Sequence, residues 1–243
     1  MNEDLRNVVL GVLATGVSGS LGWLARTYLW RRALRRRQAF FGLRDGSECL
    51  LVVNRKAGSE RAVHNVDVSA LLELSALIKD CGARPEIVQH DEARQGLGDV
   101  TEFCVGGPYS NRRMAAHLSS LLPGLTMSVE PEPIADRSMF TVGGEVYRCV
   151  NGSTEYVVLA RLTGGEGGRP VFLLCGQAAI ANQSASRYLA RHHEKLARTY
   201  GSGPFVLLLK VVNSDAYGPD VVELVADVTS AARTAPAPEP AAT

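Results

Sequence analysis

The sequence predicts an α/β fold: a Rossmann-like mixed sheet with an antiparallel meander in its second half, preceded by one N-terminal transmembrane helix. Three observations predict it. An uncharged run near the N-terminus ends in a block of arginines. Apolar runs of strand length alternate with a helical period through residues 48–122. From residue 140 on, glycine pairs separate short strands. The boundaries that follow are an anchor with a basic juxtamembrane segment over residues 1–46, an α/β domain over 47–230, and a Pro/Ala-rich tail over 231–243 whose composition predicts disorder.

Residues 8–25 carry no charge over 18 positions, and counting to Trp30 gives 23. As a helix, residues 8–30 would reach roughly 34 Å, enough for a hydrocarbon core of about 30 Å. Trp23, Tyr28 and Trp30 lie towards one end, where an aromatic belt belongs. Arg31, Arg32, Arg35, Arg36 and Arg37 follow and resist translocation. A cleaved signal needs its basic residues before the apolar run, and here they come after it. The expectation is a single-pass protein of the inner (cytoplasmic) membrane, N-terminus out and C-terminal domain cytosolic. The alternative is a glycine-rich buried or amphipathic helix. Gly11, Thr15 and Gly19 recur every four residues, a spacing that lets helices approach closely in lipid and leaves a homo-oligomer open.

In the domain, residues 48–53 (ECLLVV) read as a buried strand. Residues 66–81 place Val68, Leu71, Leu72, Leu74, Leu77 and Ile78 at helical spacing, and Gly82 stops the helix. Residues 85–88 form a short strand, so strand, helix and strand make one βαβ unit, which requires parallel strands. Residues 101–105 (TEFCV) form a strand that runs into Gly106-Gly107-Pro108 and then a helix to Leu122. Gly143-Gly144 marks a two-residue hairpin turn between residues 140–142 and 145–149. Residues 155–162 and 170–175 are strands joined by a glycine-rich link. A helix over 178–200 and strands over 205–212 and 221–228 complete the domain.

Charge narrows the partners. Lys plus Arg number 26 against 25 Asp plus Glu, so no basic excess points to nucleic acid. Cys49, Cys81, Cys104, Cys149 and Cys175 are widely spaced, without a CxxC pair, so no structural metal site is expected and buried thiols are.

Three strand-to-helix loops are the candidate ligand site. After residue 105, Gly106 and Gly107 give a ligand access to backbone, Pro108, Ser110 and Asn111 lead into the helix, and Arg112 sits in its first turn. Basic residues at a helix start oppose the dipole, a cost that a bound anion relieves. Gly176 and Gln177 form a similar turn, and Asn54 follows the first strand with Arg55 and Lys56. If the strands ending at Val53, Val105 and Cys175 run parallel, the three loops meet on one edge. Each loop also reads as an ordinary turn, with Asn111 as a plain helix cap. No catalytic set is apparent: the nucleophile-elbow, P-loop and GxGxxG patterns are absent, and Glu73 is the one acid that could be named.

Over residues 48–122 the order of elements and the loop residues Gly106, Gly107, Pro108, Ser110 and Asn111 resemble Rossmann-like nucleotide-sensing domains, the LOG/SLOG-like and TIR-like groups of bacterial signalling and conflict systems. The sequence has GGPYSN where the lysine-decarboxylase-like members have PGGxGT. The resemblance implies binding of a nucleotide or related anionic small molecule in a sensor or signalling module. A nucleosidase or NAD-cleaving enzyme on the same scaffold is one alternative, and a non-catalytic membrane-tethered interaction scaffold is another.

Overall fold

The computed structural model describes residues 3–54, 65–129, 138–165 and 167–235. Side chains of most residues up to Ser18 also lie outside the description, as do Arg55 and Lys56 and the Pro/Ala-rich tail from residue 236.

The chain opens with α1 (Glu3–Phe41), a helix of 39 residues. It runs through the arginine block without a break, since straight-chain arginine is a good helix former. Among the described residues no helix is long and apolar enough to cross a membrane. Of the predicted span over residues 8–30, the side chains at 8–10, 12–15 and 17–18 lie outside the description. From residue 19 to Trp30 the helix is in solvent in the isolated chain, with Leu21, Trp23, Leu24, Tyr28, Leu29 and Trp30 all exposed. Its last turn is different. Phe40 and Phe41 are buried in the core, where Phe41 meets Phe103 and Phe172 at ring centroid distances of 6.1 and 5.5 Å. Thr101 Oγ1 and Arg169 Nη1 donate to the carbonyl of Gly42 at 2.9 and 2.7 Å. These donors satisfy carbonyls that a helix end leaves open.

The expected βαβ unit is present as β1 (Glu48–Val53), α2 (Asn65–Asp80) and β2 (Arg84–Gln89), with β1 and β2 parallel in register from Glu48↔Arg84. β3 (Thr101–Val105) adds parallel to β1 on its other side. α3 (Arg112–Leu121) follows. β4 (Leu125–Val129), β5 (Ser138–Val142) and β6 (Glu145–Arg148) form a separate three-stranded antiparallel sheet. The β5–β6 turn uses Gly143 and Gly144 at φ of 61° and 84°, the positive values that a two-residue hairpin turn requires. β7 (Thr154–Thr163), β8 (Pro170–Gly176), α4 (Ala179–Tyr200), β9 (Phe205–Val212), α5 (Ser214–Tyr217), β10 (Val222–Asp227) and α6 (Thr229–Arg233) complete the chain.

The main sheet has seven strands in the order β10-β9-β7-β8-β3-β1-β2. β8, β3, β1 and β2 are mutually parallel, and β7, β9 and β10 join antiparallel. The α/β class and the mixed sheet are thus as the sequence predicts. The meander is split between two sheets: β5 and β6 pair with β4, a strand the sequence reading did not find, while β7 enters the main sheet. Alternating residues of each central strand face opposite sides. Leu51, Val53, Phe103 and Val105 pack under α1, α2 and α4, while Leu50, Val52 and Cys104 pack under α3, α6 and the small sheet.

Candidate functional site

Parallel pairing of β1, β3 and β8 brings their carboxyl ends to one edge, with Val52 opposite Cys104 and Val105 opposite Leu174. The three loops of the predicted site therefore do converge. At this edge the chain leaves β1 for α2 on one face and leaves β3 for α3 on the other. That divergence is a topological switch point, where open α/β sheets leave a crevice for ligands.

Asn54 and Gly106 meet in this crevice. Gly106 has φ +110°, and a Cβ added there would overlap the Asn54 carboxamide. A side chain at position 106 would therefore be strained and displace Asn54. The Asn54 Oδ1 atom is buried and has no hydrogen-bond partner among the described residues. Gly107 is roomier, since an added Cβ would find its nearest neighbour, Met127 Cε, at 3.5 Å.

Asn111 is fully committed to holding the turn. It is buried, and its Oδ1 accepts from Met114 N at 3.0 Å as the N-cap of α3. Its Nδ2 donates to Val105 O at 3.0 Å and lies 3.5 Å from Cys104 Sγ. Pro108 is half-buried, while Ser110 and Arg112 are exposed at the rim. Ser110 Oγ donates to Gly107 O at 3.3 Å, and the Tyr109 hydroxyl donates to Met127 O at 2.9 Å.

The neighbouring Gly176 turn is also closed by side chains. Gly176 N donates to Asn182 Oδ1 at 2.8 Å, and Asn182 Nδ2 donates to Asp67 at the start of α2, 3.2 Å away. Gln177 accepts from Tyr156 N at 2.9 Å and donates to Ser138 O and Tyr147 O at 2.9 and 2.8 Å. Its amide thus ties the small sheet to the large one. Of the nine candidate residues, Asn54, Gly107, Pro108, Ser110 and Arg112 stand at this edge, buried Gly106 packs against Asn54, and Asn111, Gly176 and Gln177 hold the turns.

Glu102, in the middle of β3, is the residue that sequence reasoning missed. It is buried with Arg113 and His117 of α3 around it. Arg113 donates twice, Nε to Oε1 at 2.8 Å and Nη2 to Oε2 at 2.6 Å, and His117 Nε2 lies 2.9 Å from Oε1. Burial pushes the Glu102 carboxyl up, but the hydrogen bonds from His117 and Arg113 outweigh it and hold the group below the usual carboxylate range. Glu102, Cys104 and His117 present ligand atoms within 4.8 Å of one another, a spacing that suits a metal ion. However, Arg113 and His117 already engage both Glu102 oxygens, and burial holds the Cys104 thiol protonated. The set braces β3 against α3 just below the crevice. A charged residue within the apolar run TEFCV was the signal, because such a residue needs a partner.

Glu73 is spoken for as well. Arg187 Nε donates to it at 2.6 Å, Ser186 Oγ at 3.0 Å and Gln183 Nε2 at 3.3 Å, which locks α2 to α4.

At the opposite end of the molecule, α1 and α4 enclose a groove of about 900 Å³. Trp30, Leu34 and Phe40 supply apolar walls, and Arg36, Arg37 and Arg198 supply positive charge.

Compared with known proteins, the chain matches no protein-family model, no curated protein and no solved structure.

Proposed function

We propose that this chain is a membrane-anchored α/β domain that binds a nucleotide or related anionic small molecule, as a sensor or signalling module. One observation carries the reading. The buried, unpartnered Asn54 Oδ1 faces Gly106 at the point where α2 and α3 leave the sheet on opposite faces. A buried polar atom without a partner is costly, and a hydroxyl or amine donor from a ligand would satisfy it. Beside it Gly107 is half-buried, and exposed Arg112 supplies positive charge for an anionic group.

The anchor part of the reading rests on residues 8–30, uncharged until Arg26, with aromatic residues before the arginine block. A ligand at about 100 times its dissociation constant adds about 2.7 kcal/mol, a shift of several degrees. The test is thermal unfolding of the full chain in detergent against nucleotides, NAD and simple anions. Asn54→Asp keeps the shape and places a negative charge in the crevice. A shift in the parent and none in Asn54→Asp supports the reading. No shift with any compound, or equal shifts in both proteins, ends it.

The catalytic alternative named Glu73, whose carboxylate is occupied by three α4 side chains. The tethered-scaffold reading has one observation in its favour, the exposed Val68 and Leu72 on α2. It predicts a partner that protects α2, read by hydrogen exchange.

A further inference from the structure

We propose that the groove between α1 and α4 holds the phosphate head group and upper acyl chain of an anionic phospholipid. The inference rests on the reading that residues 8–30 enter a bilayer. The groove opens where α1 leaves the domain towards that segment, at the end of the sheet opposite the Asn54 crevice.

Its lining matches an amphiphile in two parts. Trp30, Ala33, Leu34, Phe40 and Ala197 offer a slot for an acyl chain, with Trp30 exposed at its outer end and Trp23 two turns further towards the N-terminus on the same face of α1. Arg36, Arg37 and Arg198 face the same space. The Arg37 Nε atom is buried and has no hydrogen-bond partner among the described residues, while its Nη1 reaches Asp80 Oδ2 at 3.3 Å. Arg198 stands 4.0 Å from Glu194 Oε2 and is otherwise exposed. The charged groups of the groove are thus three arginines against Asp80 and Glu194, a surplus of one positive charge (3 − 2), with His193 beside them turned to Ala190 O at 2.8 Å. A phosphate diester would give Arg37 Nε the acceptor it lacks and would balance that surplus. A zwitterionic lipid adds an ammonium and so leaves that positive surplus unbalanced.

The test uses the full chain in vesicles with Trp23→Phe, which leaves Trp30 as the single tryptophan of the two. A dibrominated phosphatidylglycerol or a dibrominated phosphatidylcholine is included as a minor component. Bromine quenches only on contact. The expected result is stronger quenching of Trp30 by the brominated phosphatidylglycerol. That preference should fall about five-fold for each groove arginine replaced, in Arg37→Gln and Arg198→Gln. Ala33→Phe, which fills the slot from an exposed position, should lower it without touching the core. Equal quenching by the two lipids overturns the proposal. So does a preference lost as fully in Arg31→Gln with Arg32→Gln, which would mean a diffuse basic surface instead of a groove. Failure of the anchor itself looks different: the protein would not float with vesicles of either kind.

Discussion

Arg161 Nε donates to the backbone carbonyl of Phe40 at 3.0 Å, across 121 residues of sequence. Arg161 is buried in β7, and its Nη1 also reaches the carbonyls of Ser202 and Gly203, while its guanidinium lies 5.8 Å from the Phe40 ring centroid. One cation therefore joins the end of α1, the centre of the sheet and the turn after α4. All of its named acceptors are backbone carbonyls. A cation at a helix C-terminus also meets the negative end of the dipole.

Arg161→Met should accordingly destabilise the protein by about 3 kcal/mol, since the buried Phe40 carbonyl and the partly buried Ser202 and Gly203 carbonyls lose their donor. Arg161→Lys should recover less than half of that, because an ammonium cannot reproduce the planar fork. Urea unfolding of the full chain measures both. A lysine variant as stable as the parent would show that charge alone matters at this position.

Asn111→Ala should cost about 2–4 kcal/mol, the sum of a lost N-cap and an unsatisfied Val105 carbonyl. Asn111→Asp keeps the acceptor for Met114 N but turns a carboxylate oxygen towards Val105 O, so it should recover only part. If alanine and aspartate variants unfold at the same denaturant concentration, the cap is not contributing.

Glu102 gives a pH signature. Its folded-state carboxyl titrates below its unfolded value, so the folded state binds fewer protons and the stabilisation is complete above about pH 4.3. It is lost as pH falls through the folded value. Glu102→Gln leaves the half-buried Arg113 without its counter-charge and should cost roughly 3 kcal/mol at pH 7. The gap between parent and variant should shrink as pH falls below about 4.3. A gap that stays constant on acidification would assign the Glu102 contribution to shape instead of charge.

All five cysteines are buried, and none forms a disulfide. Burial pushes the Cys175 thiol up to about 12 and raises Cys81, even with Arg37 nearby, to about 11. The native protein should react with a thiol reagent at pH 8 at least about a hundred-fold more slowly than the urea-unfolded chain. Fast labelling of one cysteine in the native state would mean that its strand or helix opens locally.

The sequence made the parallel half of the sheet legible because its signals are local. ECLLVV and TEFCV are short apolar runs, and Leu71, Leu74 and Ile78 mark a helix between them by spacing alone. β4 escaped although Leu125, Met127 and Val129 alternate with Thr126 and Ser128, because the run is only five residues long and follows Pro123-Gly124, which reads as a helix stop. The direction of β8 relative to β3 depends on the chain crossing a whole second sheet, and no local pattern encodes that. At the site, Gly106 announced a tight turn, but its contact with Asn54 joins residues 52 positions apart (106 − 54). The roles of Gln177 and Asn111 differ from their appearance for a related reason. A polar residue at a turn looks free until the carbonyls it holds, Ser138 O and Tyr147 O in one case and Val105 O in the other, are known.

α1 passes from residue 3 to the core at Phe41 as one uninterrupted helix, about 58 Å long at about 1.5 Å per residue. No swivel separates its outer part from the domain. The heading of the domain is therefore set by the azimuth of the rod, like a flag on a pole. A single residue inserted near Leu34 would swing everything beyond it by about 100°. Thr101, which grips the base of the pole through Gly42, begins the same strand that ends beside Gly106. The base of the pole and the Gly106 turn therefore stand at the two ends of one five-residue strand.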